Sequence, residues 1–166
     1  MQSSSSEINS APLVACDLAS IYIHIPFCRT RCTYCAFNTY TGMDTLIPDY
    51  IDALCHELTQ VAQHHDFTNL PIHTIYFGGG TPSLLHPDQV AEVLEVCHTM
   101  YDVHPRTEIT LEANPGTISK DTLHQLRLSS VNRLSLGVQS SNPDHLRRFA
   151  RGHTIEDAQQ AFAMAR

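Results

Sequence analysis

Basic side chains are scarce in this chain. Ten Lys and Arg stand against seventeen Asp and Glu in 166 residues, a formal net charge of −7. Cations so few and so spread out form no stripe of the kind a phosphate backbone needs, which argues against nucleic acid as a partner. Long apolar runs are missing as well, and none approaches the ~20 residues that span a bilayer, so a membrane-spanning helix is excluded. The opening stretch "MQSSSSEINSAP" lacks the basic region of a signal peptide, and residues 1–19 are expected to form a disordered tail. "LVAC", ending at Cys16, looks locally like a lipoprotein processing site, but no long apolar segment precedes it. Without an export signal the expected compartment is the reducing cytoplasm. There, six cysteines are more often metal ligands or buried apolar residues than disulfides.

With 42% hydrophobic residues, the remainder, 20–166, is long enough for one domain with a real core. Four β-branched or aromatic runs read as strands: "IYIHI" (21–25), "HTIYF" (73–77), "TEITLEA" (107–113) and "NRLSLGV" (132–138). Each precedes a helical pattern. In the first helix Tyr50, Ile51, Leu54, Leu58 and Val61 recur at helical spacing, after Pro48 and Asp49 in the first turn. In the second, Pro87 opens a stripe of Val90, Val93, Leu94, Cys97 and Met100. Cys55 and Cys97 fall on or beside these stripes and read as structural thiols. "SKDTLHQLRL" is a third, shorter helix. Asn142 with Pro143, and Thr154 with Asp157, mark two further helix starts. Strands alternating with helices predict an α/β fold with a parallel sheet and right-handed crossovers. Four such strands cannot close a barrel, so the chain is expected to be the N-terminal part of a longer protein, with an open edge beyond its fourth strand.

The chemistry concentrates in "CRTRCTYCAFNTYTG", residues 28 to 42, directly after the first strand. A structural zinc site takes four ligands. Cys28, Cys32 and Cys35 give three, and "AFNTYTG" adds neither Cys nor His. His24 reads as a packed or hydrogen-bonded strand residue. A disulfide would use two of the thiols and strand the third. Three thiolates on a tight loop can instead hold three corners of an iron–sulfur cube, leaving the fourth iron open, as catalytic centres do.

Cys28, Cys32 and Cys35 in the order Cys-x3-Cys-x2-Cys resemble the signature of the radical S-adenosylmethionine (SAM) superfamily. The other strand ends fit one site. "FGGGTPS" (77–83) lets backbone N–H groups approach a carboxylate or phosphate closely. It is not a phosphate-binding loop, because Ser83 stands where Gly-x-Gly-x-x-Gly needs its last glycine. The plainer alternative is a sharp turn in which Thr81 and Pro82 open the next helix. Glu112 ends the third strand and Gln139 the fourth. In parallel sheets that carboxyl end is where ligands bind, so these features should converge on one mouth.

"IYIHIPFCRTRCTYCAFNTYTG", "IYFGGGTPS", "LEANPGT", "RLSLGVQS" and "RGH" together resemble successive blocks of the oxygen-independent coproporphyrinogen III oxidase-like family, over about residues 21 to 153. That family has a decarboxylating oxidase branch and a haem chaperone branch. In the oxidases a further Cys tends to follow the cluster motif; here Phe37 stands in that place, which is similar to the chaperones. The resemblance implies a partial (β/α) barrel of about four units. It implies a 4Fe-4S cluster on Cys28, Cys32 and Cys35, and SAM contacts from Tyr22, Gly79 and Glu112. Tyr34, Gly80, Thr81, Gln139 and Arg151 match positions that, in the oxidase, contact a second SAM or shape the same cavity. Such a protein would take an electron from a donor, cleave SAM to a 5'-deoxyadenosyl radical, and act on haem or porphyrinogen. A chaperone would pass haem to an acceptor protein and carry its haem-binding residues C-terminal to this chain. The alternatives are the oxidase itself and an inactive fragment whose site is encoded but not assembled.

Overall fold

The run "ASIYIHI" alternates, and the alternation decides which way it faces. Ile21, Ile23 and Ile25 point into an apolar layer, while Ser20, Tyr22 and His24 point to the opposite face. A computed structural model describes residues 18–64, 67 and 70–166. Of the expected tail, 1–19, residues 1–17 including Cys16 lie outside the described residues, as does His65, while Ala19 already belongs to the first strand because it pairs with Ile72. Strand β1 spans Ala19–Ile25, followed by β2 (Phe27–Cys28), β3 (Tyr40–Thr41), α1 (Ile47–His64), β4 (Pro71–Gly79), α2 (Pro87–Met100), β5 (Asp102–Ala113), α3 (Lys120–Leu128), β6 (Arg133–Leu136), α4 (Pro143–Arg148) and α5 (Ile155–Met164). The main sheet has the order β1-β4-β5-β6 with every pair parallel, and β2 with β3 forms a separate parallel pair.

One core fills the layer between this sheet and the helices. Ile23, Ile25, Ile75, Phe77, Ile109 and Leu111 meet Ile51, Leu58, Val90, Val93, Leu94, Cys97 and Leu126. Val61, read as part of the α1 stripe, is exposed at 37%. The helix starts fall where the capping residues placed them. Asn142 accepts from the Asp144 N–H at 2.8 Å, and Thr154 and Asp157 form a reciprocal capping box. Strand β5 is longer than the run 107–113 because Asp102 and Val103 already pair with Pro71 and Ile72, before an irregularity in register around Pro105. Strand β6 is shorter than 132–138. Asn132 contributes its side chain, accepting from the Ile109 N–H and donating to Thr107 O, and Gln139 turns the chain at φ 64°. Among the described residues, β6 has no partner on its outer side.

His153 adds a pH dependence. It is buried, its Nε2–H donates to Val138 O at 3.1 Å, and burial holds its pKa below the ordinary value. The folded form therefore binds fewer protons than the unfolded chain below the unfolded value of ~6.5, so stability is present above that pH and is lost as pH falls through it. The expected result is a thermal midpoint that drops between pH 7 and pH 5.5 in the natural chain, and drops less in a His153→Gln variant. An equal drop in both would assign the effect elsewhere.

Candidate functional site

Cys28 lies at the end of β2, and the loop after it closes on itself. The Tyr40 N–H donates to Pro26 O at 2.7 Å, and Phe27 and Cys28 pair with Tyr40 and Thr41. Inside the loop the Cys35 N–H donates to Cys32 O at 3.1 Å in a tight turn, and both residues line the same cavity. Thr33 anchors the outside of the loop. Its hydroxyl donates to Arg148 O at 2.8 Å, and Tyr34 packs edge-on against Phe149 with ring centroids 5.2 Å apart. The three cysteines are free thiols lining one cavity of about 340 Å³.

The same cavity takes in Gly79, Gly80, Thr81, Glu112, Gln139, Arg151 and Tyr34, so most of the residues implied by the resemblance converge as the parallel-sheet argument requires. Tyr22 does not line it. It sits one layer down the inner sheet face, stacked on Tyr76 at 6.1 Å, with its hydroxyl 3.2 Å from His24 Nδ1. The glycine loop is a true close approach. Gly79 has φ +109°, and a Cβ on Gly80 would stand 2.7 Å from Phe27 O and 2.8 Å from Ile25 O. Thr81 and Pro82 do open a short 3-10 turn, Pro82–Leu84, but the glycines before it still wall the cavity.

Three residues escaped the sequence reading, Asn114, Gly137 and Tyr76, while His24 is the hydrogen-bonded strand residue that was expected. Asn114 donates to Thr81 Oγ1 at 3.1 Å and accepts from Arg151 Nη2. Thr81 in turn donates to Cys28 Sγ at 3.5 Å, and Arg151 Nη1 donates to Cys32 Sγ at 3.3 Å. A continuous polar chain thus runs from Cys28 through Thr81, Asn114 and Arg151 to Cys32, and fixes two thiols from outside the loop. Gly137 makes room for it, since a Cβ there would meet Asn114 Oδ1 at 2.8 Å and Arg151 Nη2 at 3.0 Å. Tyr76 donates to Glu112 Oε1 at 2.7 Å while the Gly79 N–H donates to Oε2 at 3.2 Å, so both carboxylate oxygens are held. Burial, and then its bond to Glu112, raise the Tyr76 pKa and keep the phenol protonated as donor. His24 donates from Nε2 to Asn38 O at 3.0 Å, tying β1 to the cysteine loop. Asn114 stands in the quoted "LEANPG", but nothing in a single sequence says which strand-end polar residue reaches a thiol.

The donor set fits a cluster better than a single ion. A lone zinc gathers its ligands within ~2.3 Å of one point. The cavity offers three thiols, with no further Cys and no His among its described lining residues, which suits three corners of a cluster and leaves a structural zinc short of its usual fourth ligand. Among the described residues, the buried side-chain polar atoms without a partner are Thr39 Oγ1 and Arg151 Nε, and both residues line this cavity. That is the mark of a polar site built for a group that completes it. Of the remaining cysteines, burial pushes the Cys97 thiol up to about 12, which makes it inert, and Cys55 is half-buried on α1 with its pKa also raised by burial.

A profile of the radical SAM superfamily matches residues 22–166, from β1 to the end of the chain. The chain belongs to the radical SAM superfamily. Proteins of this superfamily carry a 4Fe-4S cluster and bind SAM. Among its relatives, the heme chaperone HemW of Haemophilus influenzae is 37% identical over 89% of this chain and 39% of its own length. The oxygen-independent coproporphyrinogen III oxidase of Bradyrhizobium diazoefficiens is 38% identical over 89% of this chain and 33% of its own. The solved structure of the Escherichia coli coproporphyrinogen III oxidase, a radical SAM enzyme, superposes with a TM-score of 0.79 at 31% identity. That match covers 89% of this chain and 34% of the other. The radical SAM chain described here therefore spans little more than a third of the curated relatives it matches, and its partial parallel (β/α) barrel is the shared portion. No helix among the described residues is long and apolar enough to cross a membrane.

Proposed function

We infer that this chain is the cluster- and SAM-binding portion of a haem chaperone-like radical SAM protein. The observation that carries the reading is the single cavity shared by Cys28, Cys32, Cys35, the Gly79–Gly80 backbone and Glu112. Cys28, Cys32 and Cys35 would hold a 4Fe-4S cluster and leave one iron open. Glu112, gripped by Tyr76 and Gly79, would take the ammonium of SAM, and the glycine backbone would leave room for its carboxylate. Tyr22 would close this pocket from below. Tyr34, Gly80, Thr81, Gln139 and Arg151 would shape the remainder of the cavity or meet a second SAM. When bound, the cluster and SAM supply one-electron reductive cleavage of a sulfonium carbon–sulfur bond; the protein positions the pair and shields it from water. Haem or a porphyrinogen is the proposed cargo or substrate. An electron donor and a haem acceptor protein are the proposed partners, and the cytoplasm is the proposed compartment.

Phe37, at the cavity wall where the oxidases tend to have a further Cys, favours the chaperone reading. The fold match to an oxidase at 31% identity supports the second reading, oxidative decarboxylation of coproporphyrinogen III. Anaerobic reconstitution with iron and sulfide, followed by electron paramagnetic resonance with and without SAM, tests the core of both. A 4Fe-4S signal that shifts on adding SAM is expected, and a cluster indifferent to SAM would overturn the reading. Haem binding by a longer product, without decarboxylation of coproporphyrinogen, would separate the chaperone from the oxidase.

Tyr76→Phe probes the pocket more finely. It removes one of two donors to Glu112 and leaves the apolar ring in place. A hydrogen bond to a charged group is worth ~1.5–3 kcal/mol, so SAM should bind at least about tenfold more weakly with the iron content unchanged. Unchanged SAM affinity would mean that Gly79 alone orients the carboxylate.

A further inference from the structure

The charge of this chain is divided in space. Residues 28–42 carry Arg29 and Arg31 and no acid; residues 137–153 carry Arg147, Arg148 and Arg151 against Asp144 alone. These two segments hold a formal +4 in a chain of −7, so the rest of the chain carries −11. The fold brings them together, through Thr33 on Arg148 O, the Thr33 N–H on Phe149 O at 3.3 Å, and Tyr34 against Phe149. Half of all the basic side chains therefore surround the one loop that bears the three cysteines.

Compensating thiolate charge does not account for this cap. Arg151 reaches Cys32 and performs that task from a half-buried position. Arg29, Arg147 and Arg148 are exposed. Arg147 pairs with Asp144, and among the described residues Arg29 and Arg148 form no ion pair. Beside Arg29 a second, polar cleft of about 240 Å³ opens, lined by Cys32, Asn114, Arg151 and His153. Cys32 is thus reached from two sides: the cavity shared with Glu112, and this outer cleft under the basic cap.

We propose that the basic surface made by Arg29, which lines the outer cleft at Cys32, and by Arg147 and Arg148 at the end of α4, which packs on the cysteine loop, is the docking surface for an acidic one-electron carrier protein that reduces the cluster. The proposal rests on the cluster reading above. The carrier loses one electron to the bound cluster, which passes from its 2+ to its 1+ state, and no proton is needed. Docking on the outer side leaves the Glu112 side free for SAM, so reduction and SAM binding need not compete for space. The strongly acidic remainder of the chain would repel the same carrier from every other face, which orients the encounter.

The test uses a bacterial flavodoxin as the acidic probe and photoreduced deazaflavin as a small uncharged reductant. In an Arg29→Glu/Arg148→Glu variant, reduction by flavodoxin hydroquinone at low ionic strength should slow by about 10- to 100-fold and lose most of its salt dependence, while reduction by deazaflavin and iron content stay unchanged. The flavodoxin Kd of the cluster-free chain should rise in parallel, and this can be read whether or not a cluster assembles. Arg106→Glu/Arg127→Glu, an equal charge change away from the loop, should have a much smaller effect on both. Equal effects from the two double variants, or a Kd that neither alters, would overturn the proposal. A chain that binds flavodoxin through Arg29 and Arg148 yet assembles no SAM-responsive cluster would leave the docking surface standing and overturn the reading under it.

Discussion

Replacing Cys32 by alanine is expected to reduce the iron held after anaerobic reconstitution from about four atoms per chain to near zero, together with the SAM-dependent paramagnetic signal. The loop offers three thiols and the site has no fourth protein ligand to substitute. With two thiolates left, half the corners of a cube would lack protein. Cys32 is the most informative of the three because it is only half-buried and makes no core contact. Its removal should therefore shift the thermal midpoint of the cluster-free chain by no more than ~2 °C, the range of a surface substitution. Loss of iron with an unchanged midpoint identifies a ligand. Retention of a full 4Fe-4S complement would show that Cys32 is not one, and the assignment of the site would fail. Arg151 sharpens the result. Its Nη1 contact to Cys32 Sγ disappears in the variant, but its bonds to Asn114 and Gly137 O persist, so the wall of the cavity stays in place.

Gly80→Ala should be the most damaging small substitution in the chain. Its new Cβ meets the backbone of residues 25–27, at 2.7 Å from Phe27 O, 2.8 Å from Ile25 O and 2.9 Å from Pro26 C. None of these can rotate away as a side chain would. The Gly80 N–H donates to Ile25 O and the Thr81 N–H to Phe27 O, each at 2.8 Å, so relieving the clash separates the strand that leads to Cys28 from the loop that carries Thr81. Overpacking costs ~1–3 kcal/mol, and each weakened hydrogen bond adds ~1 kcal/mol. For a chain of this size that corresponds to a thermal midpoint lower by roughly 5–15 °C. Cluster content should fall with it, because Thr81 loses its place beside the Cys28 thiol. Gly152→Ala is the control, since its Cβ would meet nothing within 4 Å. Equal stability in the two variants would show that the glycine loop is not a close approach.

Much of this was legible in advance because the signals are local. Capping at Asn142 and Thr154 uses contacts within three residues, and a strand of alternating isoleucines carries its own facing. The triplet of cysteines carries a local spacing, Cys-x3-Cys-x2-Cys, on which the resemblance to the radical SAM superfamily rests. What was not legible depends on register across strands. Tyr76 reaches Glu112 because Tyr76 pairs with Thr110, which sets Glu112 one step nearer the carboxyl end on the same face. Tyr22 falls below the cavity for the same reason, paired with Tyr76 and three residues short of the strand end at Ile25. Strand β5 begins at Asp102, ahead of the expected 107, because a neighbour was available to pair with.

By itself the sequence determined the α/β class, the superfamily signature at Cys28, Cys32 and Cys35, and the strand ends where a site would form. The class and the strand ends follow from periodicity and turn chemistry, and the signature from the resemblance carried by the cysteine spacing. Only the tertiary structure decided which groups hold the site in shape. The chain from Cys28 through Thr81 and Asn114 to Arg151 and Cys32 joins residues up to 119 positions apart. It likewise gathered five dispersed arginines around one loop, because helix α4 packs its C-terminal end on Thr33 and Tyr34. Charge and thiol chemistry are properties of residues, but the company they keep is set by which strand ends the sheet places side by side.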